Sequence, residues 1–267
     1  MIRRISMAVT LLALFLCSGF AQCNKNATAC NGSNKAWYED EAALRADLMA
    51  AVSDSRVLDE SKVSNTLMPI RKDYPGEEWI NEEGRDMVLL VTLVDSSRMK
   101  RFFSGEGTYR INREFGTWVT LPGEWSNKKA EFEGLDSIAA HMRMIQLYGL
   151  DPSCTYDIMV SFYADASYIF RPAHNPDITT TSAGLEFPAF ADENYKVGET
   201  NFREWYRYSV KSAYEDDSPL PWTQLGYTYD WHKGAPRQGL SEYVVTHMSP
   251  IKVKKCESAW EFIKNIK

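Results

Sequence analysis

The sequence predicts one α+β domain, built on a mixed, mainly antiparallel sheet with helices packed on it, and three observations carry that expectation. Residues 87–94 form an unbroken run, Met-Val-Leu-Leu-Val-Thr-Leu-Val, whose β-branched composition and length fit a buried strand better than a helix. Other segments place apolar residues at helical spacing between recognisable start and stop signals. Strand and helix segments interleave without regular βαβ spacing, which favours a mixed sheet over a doubly wound one.

In chain order, residues 1–21 come first, with Arg3 and Arg4, an apolar stretch of about ten residues, and small side chains at Gly19 and Ala21. That is the three-part pattern of a secretory signal cleaved after Ala21, and it is about half the length a membrane-spanning helix needs. Cys23, just beyond it, offers the alternative of a lipid anchor, although Gln22 and Phe20 fit that pattern poorly. Residues 22–36 have little apolar content and predict a flexible arm, with glycan-acceptor tripeptides at Asn26 and Asn31.

The domain is expected over 37–267. Residues 37–52 carry Leu44, Leu48, Ala51 and Val52 on one stripe with acidic residues at the start, the mark of a helix. The 87–94 run is the expected central strand, and Thr117 to Leu121 a further strand before a Pro-Gly turn. Residues 134–150 predict a helix with Leu135, Ile138, Ala139, Met142 and Ile145 on its apolar face and Gly149 at its end. A strand is expected over 156–164, an aromatic-faced helix over 199–214, a late strand over 240–246 and a closing helix over 257–266.

Composition narrows the function classes. Hydrophobic residues make up 44%, ample for a packed core, and no linker or repeat marks a second domain. The net charge is −6, and loss of Arg3 and Arg4 with the signal takes it to −8, which argues against nucleic acid as a partner. The two short basic runs, 98–101 and 252–255, read as solvated strand ends. Of the five cysteines, Cys17 leaves with the signal, so Cys23, Cys30, Cys154 and Cys256 remain for an oxidising compartment. Three pairings are possible. Cys23 with Cys30 and Cys154 with Cys256 is favoured, the second closing a long loop for ~4–5 kcal/mol in chain-entropy terms. No Cys-x-x-Cys or His-Glu-x-x-His spacing points to a metal, and no cofactor is expected.

Two regions concentrate polar and aromatic chemistry. In residues 170–178, Arg171, His174 and Asp177 share a loop stiffened by Pro172 and Pro176. A histidine with a nearby carboxylate can act as a base with its orienter, and an arginine can bind an anion; a simple turn explains the same residues. In residues 221–234, Trp222, Tyr227, Tyr229 and Trp231 stand beside Asp230 and His232. Aromatics next to polar groups suit a sugar face or a partner surface, and the same alternation suits a core strand. Glu114 and Glu124 flank the 117–121 strand as a candidate acid/base pair, or as two loop charges. The remaining histidines, His141 and His247, are scattered.

Three stretches taken together, 117–122, 168–178 and 221–231, resemble a group of uncharacterised bacterial secreted proteins. The resemblance implies export from a bacterium and supplies no activity. It also implies cysteines after the Phe-Arg-Pro stretch, where this chain has Ala173 and Ser182, so a disulfide of that group is missing here and the pairing of Cys154 is in question.

The expectation is therefore an exported, secreted or periplasmic, binding or interaction domain, with the 171–177 loop and the 222–232 stretch as neighbouring parts of one surface and an extracellular or envelope ligand. It would meet a membrane only through a lipidated Cys23. The alternative is a hydrolase of an envelope or extracellular polymer using His174, Asp177 and Arg171 or His232, and a third possibility is a structural envelope protein without a ligand.

Overall fold

In the computed structural model, residues 36–215 and 219–266 are described. The predicted signal, almost all of the arm, Cys23 and Cys30 lie outside them. From Ala36 onward the chain forms one compact unit. It begins with a 3-10 turn, Trp37–Glu39, and helix α1, Glu41–Ser55, which starts where the Asp40 carboxylate accepts the Ala43 N–H at 3.1 Å. Strands β1 (Trp79–Glu82) and β2 (Arg85–Val94) follow as a hairpin, then helix α2 (Ser96–Phe102), capped by Asp95, and strands β3 (Thr108–Arg110) and β4 (Thr117–Thr120). An irregular 3-10 segment leads to α3 (Ser137–Leu147), β5 (Ile158–Asp165) and β6 (Ile169–Phe170). A two-strand ribbon, β7 (Lys196–Val197) and β8 (Thr200–Asn201), precedes α4 (Phe202–Glu215), and β9 (Tyr227–Tyr229), β10 (Gln238–Val245), β11 (Pro250–Ser258) and α5 (Ala259–Lys264) complete the chain.

The main sheet runs β3-β11-β5-β2-β4-β10-β6, with β1 added to β2 and β9 to β10. Every described pairing is antiparallel, so the sheet stands at the antiparallel end of the mixed arrangement expected. The 87–94 run is indeed its centre, paired along its length with β5 from Met87 opposite Asp165 to Val94 opposite Ile158.

Because side chains alternate along a strand, β2 must be covered on both faces. Val91 and Leu93 meet Met159 under α1, α3 and α5. Val88, Leu90 and Val94 meet Val160 and Phe162 on the other face, closed by Ile70, Phe103 and Ile111 with Met99 and Phe102 of α2. A third cluster gathers the aromatics of α4, Phe202, Trp205 and Tyr206, against Phe170, Trp222 and Val244.

Three local expectations change. The 98–101 run lies on α2, not at a strand end. The 252–255 run lies within β11, where Lys252 pairs with Glu82 and Lys254 with Glu78. The predicted face of α3 is rotated. Ile138, next to the Asp136 cap, is 65% exposed, while Arg143 and Gln146 turn inward. Arg143 holds the buried Asp230 carboxylate through two bonds, at 3.0 and 2.5 Å, and reaches Glu131 as well. Burying a charge this deeply is tolerable only with such pairing.

The two-sided burial of β2 makes a direct expectation. Leu90→Ala should cost about 2–5 kcal/mol in urea denaturation, whereas Ile138→Ala should change stability by under ~0.5 kcal/mol. Similar losses from both would contradict this packing.

Candidate functional site

The 171–177 loop is built into the interior. Arg171 is fully buried. It donates to the Thr180 carbonyl at 2.7 Å and to the Tyr243 hydroxyl at 3.3 Å, and its guanidinium lies over the Tyr243 ring. A Cβ on Gly226 would come within 2.5 Å of the Arg171 side chain, and φ there is +80°, so only glycine lets the 221–227 segment pass this close. Asp177 does not orient His174: its Oδ1 accepts from the N–H and hydroxyl of Thr179, at 2.8 and 2.7 Å. His174 instead rests between Phe187 and Tyr206, 3.3 Å from the Tyr206 hydroxyl, and burial together with the charge of Arg203 lowers its pKa. Arg171, His174 and Asp177 thus share a loop without sharing an acid–base contact.

The loop and the aromatic stretch do meet. Ala173 bridges Leu225, and Tyr206 joins His174 to the Gln224 side chain, to which it donates at 2.8 Å. The rings themselves, however, face inward. Trp222, Tyr227 and Trp231 are buried, each in a different cluster. Tyr229 is half-buried and donates to Asp54 at 2.9 Å. His232 belongs to the α3 side, its Nδ1 2.8 Å from Gln146 Oε1 and its ring edge-on to Trp37. Core packing accounts for this alternation, and the five residues do not form one exposed surface.

Glu114 and Glu124 lie beyond opposite ends of β4. Glu114 is exposed, while the Glu124 carboxylate accepts from Ser241 N and Oγ at 2.8 and 3.0 Å, and burial raises its pKa to about 7. Cys154 is half-buried and Cys256 exposed. Cys256 stands opposite Val160 of β5, and Cys154 lies four residues before that strand begins. Among the described residues no group of three or more His, Cys, Asp or Glu is placed to hold a metal ion, and no helix is long and apolar enough to cross a membrane.

The candidate site lies elsewhere, where the end of α2 meets the β3–β4 connection. A cleft of about 300 Å³ is lined by Arg101 and Phe102 from α2, by residues 112–116, and by Trp118 of β4. Its walls are fixed from behind. The Tyr109 hydroxyl donates to the Phe102 carbonyl at 3.0 Å, tying α2 to β3, and Ile111 exchanges backbone hydrogen bonds with residues 248 and 249. The connection turns where the Gly116 N–H donates to the Arg113 carbonyl at 2.9 Å. Gly116 has φ +77°, and a Cβ there would strike Val244 at 2.5 Å. Trp118 is backed by Trp205 and Trp222, with centroids 5.6 and 5.9 Å away, so Trp222 reaches the cleft only as support. At the rim Phe115 stacks on Tyr208, 4.5 Å apart and nearly parallel, and both stay substantially exposed at 50% and 44%.

Electrostatically the cleft is cationic in an acidic protein. Arg101 and Arg113 approach the Phe102 ring, 5.0 and 5.6 Å from its centroid. Burial, with the charge of Arg98, pulls the Arg113 guanidinium below its ordinary pKa, outweighing the opposing influence of Tyr156 and Asp95. Arg98 is itself paired with Asp95. Among the described residues no carboxylate pairs with Arg113 or Arg101, and the side chains of Asn112 and Glu114 are likewise without hydrogen bonds. A partly buried cation that has lost water, and is answered only by the more distant Asp95 carboxylate already paired with Arg98, gains from an anion brought to it.

Behind this region, Glu242 of β10 is buried beside Trp222. Burial raises its pKa to about 8; the nearby indole N–H offsets this only in part, and neither Glu242 Oε1 nor Trp222 Nε1 completes a hydrogen bond. A carboxyl whose folded pKa exceeds its ordinary 4.5 lends stability that is full below about 4.5 and lost as pH rises through about 8. At about 1.4 kcal/mol per pH unit the loss is on the order of 3–5 kcal/mol. The melting temperature should therefore fall between pH 5 and pH 8, and Glu242→Gln should flatten that fall and be the more stable protein at pH 8. A variant as pH-sensitive as its parent would contradict the assignment.

No family model matches the chain, and neither a curated protein nor a solved structure matches it.

Proposed function

We propose that the chain is an exported binding domain, acting outside the cytoplasm, that recognises an anionic group carried on a ring at the Arg101–Arg113 cleft. The observation that carries this reading is Arg113: a half-buried guanidinium with no carboxylate in ion-pair contact among the described residues, lining a cleft with Phe102, Phe115 and Trp118. Arginine presents a planar fork that matches a carboxylate through two parallel hydrogen bonds, and aromatic walls exclude water from that contact. Export rests on the signal pattern of residues 1–21 and on the cysteines that remain after its removal. Hydrolysis by the 171–177 loop finds no such support, since His174 has a phenol and a phenyl ring for neighbours and Asp177 is occupied by Thr179.

Titration calorimetry of the chain with benzoate, and with benzamide as its neutral counterpart, tests the reading. Benzoate should bind at least about tenfold more tightly, and Arg113→Gln should remove the difference. Equal binding of the two, or a preference untouched by the substitution, would overturn it.

A further inference from the structure

Beyond a general preference for anions, the lining of the cleft selects among them. We infer that the ligand is a uronic acid residue, a single sugar ring bearing one carboxylate, taken as part of an acidic saccharide. This rests on the anion-binding reading of the same cleft.

Three features point the same way. The first is charge. The lining holds two arginines and one carboxylate, Glu114, a balance of +1. That matches a monoanion, whereas a phosphate monoester carries about −1.5 to −2 and would meet Glu114 as well.

The second feature is the polar remainder. Asn112 offers both a donor and an acceptor, Glu114 offers acceptors, and neither side chain makes a hydrogen bond or ion pair among the described residues. Vicinal hydroxyls on a sugar ring use both kinds of group. An aromatic or aliphatic acid would leave them idle. The third is shape. At about 300 Å³ the cleft is at the small end of ligand sites, about 300–1,000 Å³, and takes one ring with its substituents. Trp118 and Phe115 line the cleft with apolar ring surface that suits the C–H face of a sugar, and the exposed Phe115–Tyr208 stack continues it at the rim, where a neighbouring sugar unit would lie.

The test compares trigalacturonate, maltotriose and benzoate by calorimetry on the same preparation. Trigalacturonate should bind at least about tenfold more tightly than either, and the Arg113→Gln and Phe115→Ala variants should each weaken it about tenfold or more, with Arg113→Lys recovering only part of the loss. Both substituted side chains are partly exposed, and circular dichroism on each variant establishes that it has folded. Benzoate binding more tightly than trigalacturonate, in an Arg113-dependent way, would overturn the uronate assignment and leave the anion-binding reading standing. Maltotriose binding as tightly as trigalacturonate, or no Arg113-dependent binding of any of the three, would overturn both.

Discussion

The burial of β2 on both faces governs this structure. A strand that is apolar on alternate sides cannot leave either side to water, and α1, α3 and α5 cover only one. The other is closed by residues around Ile70, by α2 and by the start of the β3–β4 connection. Covering the second face draws the end of α2 against residues 112–116, and the cleft is the seam between those two covers. Phe102 serves both purposes, packing against the core and offering its ring to both arginines.

What was legible in the sequence followed from how local its cause is. The β2 run is apolar at nearly every position, and its place at the centre of the sheet follows from that alone. Helix α3 announces its ends through Asp136 and Gly149, yet its buried face is not legible locally, because Arg143 and Gln146 look like solvent-facing residues until Asp230 and His232, about 85 residues later, arrive to pair with them. Strand β11 was hidden by its lysines and by an irregularity between Val253 and Lys255 that breaks the alternation a strand is recognised by.

The candidate site was less legible still. The 171–177 and 222–232 segments drew attention because they concentrate functional residue types, and the fold does bring parts of them together through Ala173, Leu225, Tyr206 and Gln224. Their polar groups are spent on one another and on the backbone, which is how buried polar groups are normally satisfied. Arg101 and Arg113 carry no motif. Their significance arises only when a helix end and a loop twelve residues later are folded together, and when no carboxylate among the described residues makes ion-pair contact with Arg113. The available signal was an excess of arginine from Arg98 to Arg113 within an acidic chain, set beside aromatic residues at 102, 103 and 115.

Ligand recognition therefore turns on a single guanidinium, and the most direct measurement is side-chain NMR of the arginine Nε–H groups during titration with galacturonate. The Arg113 signal should move downfield and saturate, while those of Arg143 and Arg237, already paired with Asp230 and Asp54, stay in place. An Arg113 signal that does not respond, or that shifts no more than the paired arginines, would contradict the claim that this cleft is where the protein meets its ligand.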